Sequence, residues 1–355
     1  MDTITLMPVT LSDVARLAGV SEATASRVLN GRRYVAEMTR ARVEAAAHQL
    51  RYVPHRAARD LSLARTTTVA LLVHHAQYPS GGEGTFAARV LDGVARALDE
   101  RGYDLLYLAV GDDAASRLRS LATVHEGRAD GALLLGPAFP PEGIAALGAT
   151  GRPIVLVDNR APGVDAVLAD NRRGTTRLVR HLVADHGYGR LGCLAGPPTW
   201  PSTVERVSAT RRVARAAGAD VRVVHARETT MRDGADAILR LLDDPPDAIV
   251  AVNDAMALGA MHRLRSLRGV RHPAIVGYDD IAWAQLADPP LTTVSVDAAG
   301  MGAAAVSLLL ERIAGVHGSN QPAREIRVPV TLRLRSSCGC DDDSSPPHGR
   351  AEDGG

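Results

Sequence analysis

The chain has 355 residues, 46% hydrophobic and 23% charged, with a net charge of +1. That length exceeds one ordinary core, so two or three domains are predicted, and the apolar content excludes a natively disordered polymer. Three cysteines make no disulfide framework, no apolar run reaches membrane-spanning length, and the first residues lack the basic-then-apolar plan of a secretion signal. A soluble, cytoplasmic protein with no membrane partner is therefore expected.

Charge is unevenly spread. Residues 1–65 hold ten Arg against six acids, about +4, which leaves the remainder at about −3. Within this basic head, residues 9–30 predict two short helices joined by a tight turn. Thr10, three residues before Asp13, is placed to cap the first. Leu11, Val14, Ala15 and Ala18 fall on one face of it. Gly19 supplies the break, because glycine takes a positive φ cheaply. Ser21 caps the second helix, whose buried side is Ala25, Val28 and Leu29, leaving Glu22, Ala23, Ser26, Arg27 and Asn30 to point outward. Short side chains, hydroxyls and one arginine suit a helix that enters a major groove. A third helix over 36–49 turns Val43, Ala46, Ala47 and Leu50 inward. Tyr52-Val53-Pro54 closes the small domain (1–54), because Pro54 cannot continue a helix. Residues 55–66 read as a helix-competent linker.

From Thr68 the pattern changes to short apolar runs alternating with amphipathic stretches. Strands are predicted over 69–73, 104–110, 131–135 and 154–157, with helices over 86–101, 116–126 and 141–148. A second series has helices over 174–187, 202–218, 231–242 and 255–267 and strands over 190–194, 221–225, 248–252 and 274–276. A helix over 301–313 and a strand over 326–334 complete the body. Such alternation implies parallel sheets with right-handed crossovers, and two series imply two subdomains with a ligand cleft at strand C-terminal ends. The N-subdomain is placed at about 67–168 and 297–325, the C-subdomain at about 169–296 and 326–340. The Asp-, Ser-, Pro- and Gly-rich end, 341–355, is predicted to be disordered.

The head, together with Val252-Asn253-Asp254-Ala255-Met256-Ala257-Leu258-Gly259, Gly277-Tyr278-Asp279-Asp280, Pro289-Pro290-Leu291-Thr292-Thr293-Val294 and Met301-Gly302, resembles the LacI/GalR family of bacterial transcription repressors over roughly 9–340. The resemblance implies an all-α helix-turn-helix head and an α/β body like periplasmic binding proteins, with two Rossmann-like parallel-sheet subdomains. It implies a homodimer on a palindromic operator of double-stranded DNA, regulating carbohydrate-use genes and switched by a small sugar-like effector. Ser21, Thr24, Ser26 and Asn30 match phosphate-holding positions, while Glu22, Ala23 and Arg27 match base-reading ones. Arg27 suits guanine and Ala23 a methyl contact; Glu22 either accepts from a cytosine amino group or is a first-turn acid favouring the helix dipole. Thr10, Leu11 and Tyr34 join this set, Tyr34 following the DNA backbone with Arg32 and Arg33. Arg56, Ala58 and Leu61 match a hinge helix that forms on operator DNA, with Leu61 as the wedge in the central base step. Asp60 departs from the family there, and Ala25 stands where Val is common.

In the body, Arg206 matches the arginine that grips effector oxygens, and Asp158, Asn253 and Asp279 match polar partners from other strand ends. Phe86 and Trp283 match cleft aromatics, and Trp200 leads toward Arg206; the chain has only two Phe and two Trp. His74, after the first strand, is assigned to the effector set by hydrogen bonding. The pair His74-His75 has no acid or cysteine at metal-ligand spacing, so no metal is assigned. No cofactor is implied, and no Walker-type loop or nucleophile elbow appears, so no enzyme is predicted. The alternative, a sugar-binding protein without a DNA role, is opposed by the complete head.

Overall fold

The structure, a computed structural model, describes residues 9–29, 35–52, 66–74, 85–111, 113–269, 271–315 and 322–340. The chain divides into two compact units, Met1–Thr66 and Thr67–Gly355.

The first unit holds α1 (Leu11–Ala18), α2 (Glu22–Leu29) and α3 (Glu37–Gln49). Thr10 and Asp13 make a reciprocal capping box at the start of α1. Gly19 ends α1 at φ 60°, and a Cβ there would stand 2.7 Å from Nη2 of Arg42. That guanidinium, from α3, donates to the carbonyls of Ala18 and Gly19 and so clasps the turn. Ser21 Oγ accepts from the Thr24 amide at 3.2 Å and starts α2. The core is small: Val14, Ala15, Ala18, Ala25, Val28, Val43 and Ala46. Four of these seven residues are alanine, so the three short helices enclose little apolar volume.

The second unit begins with β1 (Thr68–His74), α4 (Phe86–Asp99), β2 (Asp104–Val110), α5 (Ala114–His125), β3 (Gly131–Leu135), α6 (Pro141–Gly148), β4 (Ile154–Val157) and β5 (Asp165–Ala169). It continues with α7 (Asn171–Arg180), β6 (Arg190–Ala195), α8 (Pro201–Ala216), β7 (Asp220–His225), α9 (Met231–Leu239), β8 (Ala248–Ala251), α10 (Asp254–Arg265) and β9 (Ala274–Val276). Last come β10 (Thr293–Val296), α11 (Ala298–Ile313), β11 (Glu325–Val328) and β12 (Val330–Arg333). One parallel sheet runs β11-β5-β4-β3-β1-β2 and a second runs β7-β6-β8-β9. Both central regions are covered on two faces, which is why their strands read as continuous apolar runs. In the first sheet Val69, Leu71 and Val73 face a core shared with α4 and α11, while Ala70 and Leu72 face the opposite core with Val110 and Phe139. Helices α4 and α11 cross with backbones in contact: a Cβ on Gly93 would lie 2.0 Å from the Ala299 carbonyl, and one on Gly302 2.4 Å from that of Val90.

Three expectations are corrected. The single strand over 326–334 is two strands, because Pro329 offers no N–H to continue a ladder. Its first part, β11, pairs with β5 in the N-subdomain sheet, and β12 pairs antiparallel with β10. Residues 326–328 thus lie with the N-subdomain. The helix over 174–187 begins earlier, capped by Asp170, and after Arg180 widens into one π turn, His181–Asp185. The short strands β5 and β10 were not anticipated.

Candidate DNA-binding face and effector cleft

On α2, Ala25 and Val28 are buried, and Ser21, Glu22, Ala23 and Arg27 are exposed, with Thr24 and Ser26 half-buried. The face is therefore short-chained and polar with one arginine, as the periodicity required. Two other assigned residues already have local work. The Thr10 hydroxyl donates to Asp13 at 2.7 Å, and Leu11 packs on the head core. Asn30, Tyr34, Arg56, Ala58 and Leu61 lie outside the described residues, as do Arg32, Arg33, Asp60, His75 and the end 341–355.

In the body a cavity of about 390 Å³ is lined by Phe86, Asp158, Trp200, Arg206, Asn253, Asp279 and Trp283, among others. These residues come from both subdomains and sit just beyond strand C-terminal ends: Asp158 after β4, Asn253 after β8 and Asp279 after β9. Phe86 opens α4 behind the Thr85 cap, and Trp200 precedes Pro201 at the start of α8.

Arg206 is buried and fixed from several sides. Its Nε donates to Asn171 Oδ1 at 2.9 Å, Nη1 to the Val252 carbonyl, and Nη2 lies 3.4 Å from Asp279. Its guanidinium carbon sits 3.7 Å above the Tyr278 ring centroid, a cation–π contact. Asp158 and Asp279 both adopt positive φ, 57° and 108°, a cost that clusters at functional sites. Burial pushes the Asp158 carboxyl up to about 7 against the pull of Arg206. Burial likewise lifts Asp279 to about 6, opposed by Arg206 and Arg89. Asp158 Oδ1 is buried with no hydrogen-bond partner, which costs about 1–3 kcal/mol unless a ligand donor supplies one. Asn253 is largely committed to structure: its Oδ1 accepts from Met256 N at 2.9 Å and its Nδ2 donates to the Thr229 carbonyl at 3.0 Å.

His74 does not line this cavity. Alternation along β1 puts it on the side of Ala70 and Leu72, where it meets Phe139 edge-on at 5.7 Å in a separate cavity against α6. Sequence reasoning also missed the neighbour of Arg206. Glu205 is buried and accepts from Arg327 at 3.0 Å, from Asn171 at 3.2 Å, and stands 3.5 Å from Arg160. Burial raises its carboxyl, but the Arg327 hydrogen bond and charge outweigh that and hold it below the usual range. Because Arg160 and Arg327 belong to the N-subdomain and Glu205 to the C-subdomain, this cluster ties the lobes beside the cleft. Ser202, Thr203, Thr230 and Ile281 also line the cavity; only their place next to strand and helix ends could have flagged them.

A three-helix head with an exposed, capped second helix, and a body of two parallel-sheet lobes around a polar cleft, define a ligand-binding transcriptional regulator. Residues 10–55 match "Bacterial regulatory proteins, lacI family", and residues 179–338 match "Periplasmic binding protein-like domain". The chain is 37% identical to the HTH-type transcriptional regulator CelR of Thermobifida fusca, covering 92% of this chain and 98% of CelR. It is 34% identical to the ribose operon repressor of Escherichia coli, covering 86% and 93% respectively. Among solved structures, a CelR–cellobiose complex matches at TM-score 0.70 and 32% identity, covering 93% of this chain and 99% of that one. The lac repressor dimer bound to operator and the anti-inducer ONPF matches at TM-score 0.81 and 26% identity, covering 94% and 99%. The chain belongs to the LacI family. It is a DNA-binding regulator of transcription, not an enzyme. Among the described residues no helix is long and apolar enough to cross a membrane.

Proposed function

We propose that this protein represses carbohydrate-use genes from the cytoplasm, binding a two-fold operator as a homodimer, and that a neutral sugar of one or two rings in the cleft alters that binding. The observation that carries the reading is the cavity itself. It joins a fixed arginine and two buried carboxylates to Phe86, Trp200 and Trp283. Carboxylates accept from sugar hydroxyls, the guanidinium donates to ring or hydroxyl oxygens, and aromatic faces cover the apolar side of a pyranose. The orphan oxygen of Asp158 asks for a hydroxyl donor, which disfavours an anionic ligand. Relatives crystallised with cellobiose and on operator DNA agree with both halves of the reading.

In the head, Arg27 reads a guanine edge, Ala23 offers a methyl contact, and Ser21, Thr24 and Ser26 hold phosphates. In the body, the sugar favours one lobe orientation, and the Glu205 cluster is the part that must rearrange or hold. The test uses an unusual convenience: both tryptophans of the chain line the cavity. Cellobiose, glucose and ribose are titrated against intrinsic fluorescence, with operator fragments first selected from genomic DNA. A saturable emission change from one sugar, accompanied by a change in operator affinity and lost in Arg206→Ala, supports the proposal. If no sugar alters emission, or Arg206→Ala abolishes operator binding while still binding sugar, the cleft has been misread.

A further inference from the structure

Four metal-ligating side chains converge outside the cleft, at the opposite ends of the C-subdomain strands. His181 opens the π turn that leads toward β6 and His186 follows it, and Cys338 and Cys340 flank Gly339 in the last turn after β12. Their ligand atoms all lie within 4.8 Å of one another. His181 Nε2 stands 3.1 Å from His186 Nε2 and 3.5 Å from the sulfurs of both Cys338 and Cys340. Cys340 Sγ is 3.4 Å from His186 Nε2 and 3.3 Å from Cys338 Sγ.

We propose that these residues form a two-cysteine, two-histidine site for a divalent cation of the zinc type, which ties the end of the body to α7. A tetrahedral zinc with Zn–S of about 2.3 Å and Zn–N of about 2.0–2.1 Å sets ligand–ligand edges of about 3.3–3.8 Å. Five of the six edges are 3.1–3.5 Å and need only a few tenths of an ångström of expansion, and the sixth, between His186 and Cys338, lies within 4.8 Å. Each ring is also aimed. His181 Nδ1 pairs with Asp185 Oδ2 at 2.7 Å, which puts its proton on Nδ1 and leaves the Nε2 lone pair toward the centre. His186 stacks flat on Tyr188, rings 5.2 Å apart and 7° from parallel, and lies nearly perpendicular to His181. Tyr188 in turn donates to the Cys338 carbonyl at 3.0 Å. Gly339 at φ 97° bends the chain so that two cysteines one residue apart present sulfurs on the same side, and a Cβ there would meet the Tyr188 hydroxyl at 2.8 Å. Neither sulfur is in a disulfide, so loading releases two protons to solvent and needs no oxidant. Two nitrogens and two sulfurs select a borderline-soft cation over magnesium or calcium.

The test uses the full-length protein, purified reduced and without chelator, with zinc measured by elemental analysis and cobalt(II) added to metal-stripped protein. One zinc per chain is expected, together with the intense visible bands and thiolate charge transfer of tetrahedral cobalt, reversed by added zinc. Cys340→Ser and His186→Gln should remove that spectrum while far-ultraviolet circular dichroism and operator binding persist. Asp185→Asn should weaken cobalt binding about 10–100-fold through loss of ring orientation. Absence of zinc with only a weak octahedral cobalt spectrum in the unmodified protein would overturn the proposal, as would a tetrahedral spectrum that survives both Cys340→Ser and His186→Gln.

Discussion

The two functional surfaces of this chain are built on opposite principles. In the head the side chains assigned to DNA, Ser21, Glu22, Ala23 and Arg27, stand exposed on α2 above a core of alanine and valine. In the body Arg206, Asp158 and Asp279 are buried, and the arginine is already engaged by Asn171, Val252, Asp279 and Tyr278. A surface that meets a polyanion can wait in water, because its partner brings the opposite charge and releases counterions on contact. A cleft that meets an uncharged ligand must be arranged beforehand, since weak hydroxyl contacts cannot also order their partners. The difference has a consequence for mutation. Change in the head should alter recognition and leave stability, whereas change in the cleft should alter both.

The largest expected break is Arg206→Ala. It removes the ion-pair partner of buried Asp279 and the cation nearest buried Asp158, and removing one partner of a buried pair costs about 3–5 kcal/mol. Thermal melting should therefore show a markedly less stable body together with loss of the sugar response. Unchanged melting would mean that the arginine is spent on ligand alone and that cleft and head obey the same rule. Arg27→Ala comes next. Loss of one guanine contact should cost about 1–3 kcal/mol of operator discrimination, read as tighter competition from non-specific DNA, with stability within about 0.5 kcal/mol of the parent. A fall in melting temperature beyond that would show Arg27 to be part of the head's packing.

What could be read in advance follows the same divide. Thr10, Gly19 and Ser21 act on atoms within a few residues of themselves, so helix ends and the face of α2 were legible from local chemistry. The Arg42 clasp was not, because its partners lie 23 and 24 residues away. In the body the residues matched through the family resemblance, Asp158, Arg206, Asn253 and Asp279, do converge on one cavity, as positions at strand ends tend to. His74 went astray because placement after a strand says nothing of which face it shares, and alternation sent it to Phe139. Pro329 was visible, yet its meaning was not, since only sheet pairing reveals that the chain changes lobes there. The histidine–cysteine cluster escaped for a plainer reason: its halves are more than 150 residues apart, and neither spacing is a metal motif alone.

A last test reads the cleft by its protons. The Asp158 carboxyl, raised by burial from 3.8 to about 7, binds its proton more tightly folded than unfolded. Its contribution is therefore fully present below about pH 4 and lost as pH rises through about 7. Asp158→Asn has no proton to lose. Its stability relative to the parent should improve between pH 4 and pH 8, by on the order of 1–3 kcal/mol. Denaturant melts at the two pH values measure the gap. A flat difference would mean that the carboxylate is charged throughout and already satisfied, which the partnerless Oδ1 contradicts. Saturating sugar sharpens the test, because a hydroxyl donated to that oxygen stabilises the charged form and lowers its pKa. With the sugar that responds in the fluorescence titration bound to the parent, its stability should therefore depend less on pH over this range.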